Sequence, residues 1–205
     1  MPCQLPADCL NEIFEHLKDD ADLYSCLLVN RLWCEVSVRI LWKNIQNYNT
    51  LITCLPNESK EILHENGIII STPTSNPPLF DYVTFVKALS MDEINRKIKM
   101  LQNHDNNKRI LVTQEVFKMF MNQISLKRLI FSYNTFINFS NLPFTSYPGA
   151  TDCLKNLSEL KCNSNVCSEF FCQMSQICHN LQSLQITIRN VISNGLADLI
   201  SVQQI

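Results

Sequence analysis

From residue 5 to residue 17 the chain runs Leu5-Pro6-Ala7-Asp8-Cys9-Leu10-Asn11-Glu12-Ile13-Phe14-Glu15-His16-Leu17. Leu10, Ile13, Phe14 and Leu17 recur at helical spacing and form one apolar stripe. Pro6 suits a first helical turn, where a missing N–H costs little. Asp8 and Glu12 lie near the positive end of the helix dipole. Lys18-Asp19-Asp20-Ala21-Asp22 then breaks the stripe and offers N-caps. A second stripe carries Leu23, Cys26 and Leu27. Asn30 is placed to cap a third short helix with Trp33, Val36 and Ile40, and Leu41-Trp42 closes the segment. A bundle of three such short helices has a poor surface-to-volume ratio and is marginal alone. It also holds both tryptophans of the chain. Some of its apolar surface is therefore expected to need a partner.

These residues resemble the F-box pattern. Leu5-Pro6, Leu10, Ile13, Leu17, Leu23, Leu27, Val29, Arg31, Trp33, Leu41 and Trp42 stand where that pattern has its landmarks. Two positions depart from it: Leu32, where a second basic residue is frequent, and Cys9, where Glu is frequent. Neither alters the apolar stripe. The resemblance covers residues 3–43. It implies docking on a Skp-type adaptor linked to a cullin scaffold and a RING subunit. The adaptor-binding residues it implies are Leu5, Pro6, Leu10, Ile13, Phe14, Leu17, Leu27, Val29, Arg31 and Trp33. Buried aromatic anchors dominate such interfaces, so Trp33→Ala is expected to cost about 2 kcal/mol or more of binding.

C-terminal to the bundle, residues 44–125 read as a helical linker with irregular first repeats. Asn57 is placed to cap a helix ending before Gly67. Ser90 and Glu93 match a capping box ahead of a stripe of Met91, Ile94, Ile98 and Leu101. Residues 104–108 are polar and read as a loop. Val116, Phe117, Phe120 and Ile124 suggest a further helix.

A repeat appears over residues 126–205. The leucine-rich template asks for apolar residues at positions 1, 4, 6 and 11, with Asn or Cys at 9. Leu126, Leu129, Phe131, Asn134 and Phe136 fit with Phe substituting for Leu. Leu157, Leu160, Cys162, Asn165 and Cys167 fit with Cys substituting. Leu181, Leu184, Ile186 and Val191 fit, with Arg189 in place of Asn. Leu157 follows Leu126 by 31 residues and Leu181 follows Leu157 by 24, so the first interval needs an insertion, supplied by residues 144–152. Cys167, Phe170, Phe171, Met174, Ile177 and Cys178 then recur at helical spacing, and a strand followed by an amphipathic helix is one unit of an α/β solenoid. The expected fold is α+β and multidomain: a small N-terminal three-helix F-box followed by an α/β leucine-rich-repeat solenoid, cut short after a last helix around Leu196 to Ile200.

Composition excludes several function classes. Hydrophobic residues make up 46% and charged residues 18%, a globular balance. Through Lys43 there are seven acids and four bases, and beyond it twelve acids and thirteen bases. Neither part has the basic field that nucleic acid or an anionic membrane favours. The apolar runs are too short to span a bilayer. With no apolar signal core at the N-terminus, a cytoplasmic or nuclear location and reduced cysteines are expected. Only three glycines are present, far apart, so phosphate-cradling loops are absent.

The series Cys162, Cys167, Cys172, Cys178 and His179 invites a zinc reading. Zinc sites favour close Cys pairs, and no Cys-x-x-Cys occurs. These cysteines fit better as small core residues. Cysteine catalysis needs a thiolate beside a base. Cys178 and His179 are adjacent, and adjacent helical side chains diverge. No metal, no cofactor and no catalytic residue is expected, and the chain is read as a non-enzymatic substrate receptor for an unidentified target protein. A leucine-rich scaffold acting outside ubiquitin ligases is the alternative.

Overall fold

The computed structural model describes residues 5–17, 19–45, 47–69, 78–101, 106–123, 125–130, 144–164, 166–188 and 192–203. Three helices open the chain: α1 (Ala7–Glu15), α2 (Asp20–Cys26) and α3 (Arg31–Leu41). Pro6 stands at the N-cap of α1 with φ −58°, the value its ring imposes. The Asp19 carboxylate accepts from the Ala21 N–H at 2.9 Å. Asn30 caps α3, its side-chain oxygen accepting from the Trp33 N–H at 3.0 Å. The bundle closes over Leu10, Phe14, Leu23, Cys26, Val36, Val38, Leu41 and Trp42.

Next come α4 (Tyr48–Thr53), α5 (Asn57–Glu65) and the one-turn helix α6 (Tyr82–Phe85). Pro56, not Asn57, is the N-cap of α5, and Asn57 is its first helical residue. The end of α5 follows the sequence expectation. Gly67 adopts φ +67°, its N–H reaches the His64 carbonyl, and the Ile68 N–H reaches the Leu63 carbonyl. That is a Schellman ending, and it requires a left-handed residue.

The described residues then hold a four-stranded sheet, all parallel, in sequential order. Its strands are β1 (Ala88–Ser90), β2 (Arg128–Ile130), β3 (Glu159–Asn163) and β4 (Ser183–Thr187). Helices α7 (Met91–Leu101) and α8 (Asn106–Gln123) connect β1 to β2. A short 3-10 helix (Phe144–Ser146) and α9 (Ala150–Leu154) precede β3. Helix α10 (Ser168–Ile177) connects β3 to β4, and α11 (Gly195–Ser201) follows β4. Parallel neighbours need such crossovers, and here helices supply them. No described helix is long and apolar enough to cross a membrane.

Register aligns Leu89, Leu129, Leu160 and Leu184 across the four strands. The residues three positions earlier, Val86, Leu126, Leu157 and Leu181, are all buried. A repeated hydrogen-bond step joins the strands. The Lys43 carbonyl accepts from the Lys87 and Ala88 N–H groups at 2.8 and 3.1 Å, and the Lys87 carbonyl accepts from Lys127 and Arg128 at 2.8 and 3.0 Å. The Lys127 carbonyl accepts from Ser158 and Glu159 at 2.9 Å each, and the Ser158 carbonyl accepts from Gln182 and Ser183 at 2.8 and 3.0 Å. The step begins at Lys43, and Asn44 forms a parallel bridge to Ala88. The end of the helical bundle is thus the first rung of the sheet.

Several expectations need correction. Strand β1, which the sequence reading does not include, lies in the region read as a helical linker with irregular first repeats. Val86, Leu89 and Met91, in and around it, repeat the spacing of Leu157, Leu160 and Cys162, and all are buried. Residues 106–108 are helical, opening α8, rather than loop. Cys178 is not on α10 but is its C-cap, with extended backbone. Phe131, Asn134, Phe136, Asn165, Arg189 and Val191, named in the repeat frames, lie outside the described residues. So does Ile124, and nothing is described of the Leu101 side chain.

Candidate docking surface

The ten residues read as adaptor-binding divide by burial. Leu10 and Phe14 are 1% and 3% exposed, so they belong to the interior of the bundle and offer no free face. This corrects their placement on a docking surface. Leu23 and Val36 enter the same cluster, and one helical stripe can serve only one side. Leu17, Leu27 and Trp33 are half-buried against that cluster. Trp33 packs edge-on against Phe14, ring centroids 5.0 Å apart at 66°. Its burial therefore supports the fold as well as any partner.

Leu5, Pro6, Ile13, Val29 and Arg31 are exposed. Leu5 and Ile13 are each 48% exposed and Val29 is 56% exposed, although all three are large aliphatic side chains. The Arg31 guanidinium pairs with Glu35 at 2.9 Å across one helical turn. Such a solvated pair contributes little to stability.

Two residues escaped the sequence reading: Leu28, 88% exposed, and Tyr24, 48% exposed. Leu28 lies in the turn between α2 and α3. A signal was available. Leu27-Leu28-Val29 puts three consecutive aliphatic residues between the end of α2 and the Asn30 cap, and so short a turn cannot fold all of them inward. The uncovered aliphatic residues thus come from three places: the approach to α1, the flank of α1 and the α2–α3 turn.

Other residues of the bundle join it to the rest of the chain. Trp42 packs on Tyr82 with ring centroids 4.5 Å apart, and Phe80 packs edge-on against Tyr82 at 5.8 Å. The Arg39 guanidinium lies over the Phe85 ring at 5.8 Å. The Lys43 ammonium donates to Glu15 at 2.7 Å, and that bond holds the Glu15 carboxyl below its ordinary range.

The cysteine series has its own geometry. Cys153, Cys162 and Cys178 are buried, which pushes their thiols up to about 11, 12 and 12. The Cys178 thiol donates to the Leu154 carbonyl at 3.3 Å. Among the described residues, no three His, Cys, Asp or Glu side chains gather as a metal site requires.

A protein-family model described as F-box-like matches residues 2–47. No curated protein and no solved structure matches the chain. With the capped helices and the closed Leu10–Phe14 core, the match identifies the N-terminal part as an F-box-like domain.

Proposed function

We propose that this chain is a substrate receptor of a cullin-RING ubiquitin ligase. In this reading the F-box-like domain docks on a Skp-type adaptor, with cullin and RING subunits beyond it. The sheet and its helices act as leucine-rich repeats that hold a target protein. The aligned Leu89, Leu129, Leu160 and Leu184 support the repeat reading, since each strand-helix unit buries its apolar face only against its neighbours.

The observation that carries the proposal is the exposure of Leu5, Ile13, Leu28 and Val29 on a bundle whose own core is already closed by Leu10 and Phe14. Side chains the core does not need are available to a second protein. The chain itself would supply no acid, base or nucleophile. It would raise the effective concentration of a target lysine near a charged ubiquitin carrier.

Capture by purified adaptor tests this. Ile13→Asp with Val29→Asp should weaken capture by about thirtyfold or more, equivalent to about 2 kcal/mol. Circular dichroism should stay unchanged, because both sites are exposed. Undiminished capture by that variant would remove the docking surface proposed here. The alternative, a repeat scaffold outside ubiquitin ligases, rests on the parallel sheet alone and predicts no adaptor complex with the wild-type chain.

A further inference from the structure

The strands of the sheet and the residues just before them carry an uneven charge. Lys43, Lys87 and Lys127 occupy equivalent rungs, because the Lys43 carbonyl receives the Lys87 N–H and the Lys87 carbonyl receives the Lys127 N–H; Lys87 and Lys127 stand immediately before β1 and β2, and Lys43 immediately before the Asn44 bridge. Neighbouring strands lie about 4.8 Å apart, so the three rungs span about 10 Å. Like charges on facing positions of neighbouring strands are destabilising. Only Lys43 is compensated, by Glu15. Among the described residues, Lys87, Lys127 and Lys161 form no ion pair.

The neighbouring rows extend the asymmetry. Arg128 and Glu159 face each other in register and form a two-bond pair, which holds the Glu159 carboxyl below its ordinary range. Lys161 is exposed two rows further along, between Ile130 and Gln185. Across these rungs Lys43, Lys87, Lys127, Arg128 and Lys161 outnumber the ion-paired carboxylates of Glu15 and Glu159 by three, on a chain whose net charge is −2. Asp92, half-buried at the start of α7 beside β1, lowers that excess by one.

We propose that this rim of the sheet binds an acidic, Asp/Glu-rich protein segment laid across the strands, its carboxylates meeting Lys87, Lys127 and Lys161. This names the class of target and rests on the receptor reading above. Charge complementarity selects the occupant, since Lys87 and Lys127 lie in register, Lys161 stands three rows on from Lys127, and all three are partly or fully exposed. A protein segment fits better than nucleic acid. The patch is small, the chain is acidic overall, and no aromatic residue stands on the described rungs to stack a base.

Fluorescence anisotropy on the full chain tests it, using a labelled peptide of about ten alternating Asp and Glu residues. A matched Asn/Gln peptide and a thymidine oligonucleotide of similar length serve as comparisons. The acidic peptide should bind most tightly, with affinity falling as salt rises. Lys87→Ala, Lys127→Ala and Lys161→Ala together should weaken it about tenfold or more, while the corresponding Lys→Arg triple variant should bind as wild type. Equal binding by the Ala variant, equal binding of the neutral peptide, or tighter binding of the oligonucleotide would each overturn the proposal. Adaptor capture by the Ala variant, measured alongside, should be unchanged. If wild type fails to bind the adaptor while the peptide still responds to the lysines, the ligase reading falls and the acidic-segment site stands.

Discussion

Burial at single positions decides what the cysteines of this chain can do. Cys153, Cys162 and Cys178 are raised to about 11, 12 and 12 because the apolar core disfavours their thiolates. At pH 8 the reactive form of each should be about one part in a thousand or less. Thiol alkylation of the native protein at that pH should modify the exposed Cys9 and spare these three, and mass spectrometry would assign the labelled sites. Denaturant should make all of them reactive, and fast native labelling of Cys162 would contradict its packing. The linkage has a definite sign. A thiol raised in the folded state contributes stability below its unfolded value near 9.0, and that contribution is lost as pH rises toward its folded value. Alkaline stability should therefore decline above pH 9. The helical spacing of Phe171, Met174 and Cys178 already pointed to core packing for Cys178. It gave no sign that Cys178 leaves the helix with extended backbone.

Among helices and strands, the contacts that set spacing are backbone contacts. Gly149 precedes α9 with φ +79°, and a Cβ there would lie 2.6 Å from the Met121 carbonyl oxygen of α8. Gly149→Ala should cost about 2 kcal/mol or more, combining left-handed strain with that clash. Chemical denaturation with an unchanged m-value would measure it, and a cost below about 0.5 kcal/mol would show that α8 and α9 can separate freely. Another tie lies at the other end of the sheet. The Gln203 side chain accepts from the Leu181 N–H at 2.9 Å and donates to the Cys178 carbonyl at 2.6 Å, tying the end of α11 to the start of β4. Helices were legible because caps and stripes are local: Asn30, Gly67 and the Phe170–Phe171–Met174 stripe all act where they were read. Strand β1 was not, because a three-residue Ala88-Leu89-Ser90 segment carries too little alternation to be distinguished from a loop.

Across the molecule, the bundle and the sheet are mechanically continuous. Trp42 on Tyr82, Lys43 on Glu15 and the Lys43 carbonyl rung join them. Both tryptophans lie in the bundle, so their fluorescence reports that part and its Trp42–Tyr82 seam, whereas circular dichroism reports every helix. The two signals should give coincident unfolding transitions in the wild-type chain. Tyr82→Ala removes the aromatic seam and should separate them; coincidence in that variant would mean that the hydrogen-bonded rung suffices. The amino-acid order settled the three-helix bundle and the spacing of the later buried leucines, because capping and amphipathic spacing act over a few residues. Which side of the bundle stays uncovered, that Leu10 and Phe14 turn inward while Ile13 and Val29 remain outside, and that Lys43, Lys87 and Lys127 fall into one column depended on long-range packing. The lysine column joins residues about forty positions apart, and local chemistry holds no record of which rung a strand will meet.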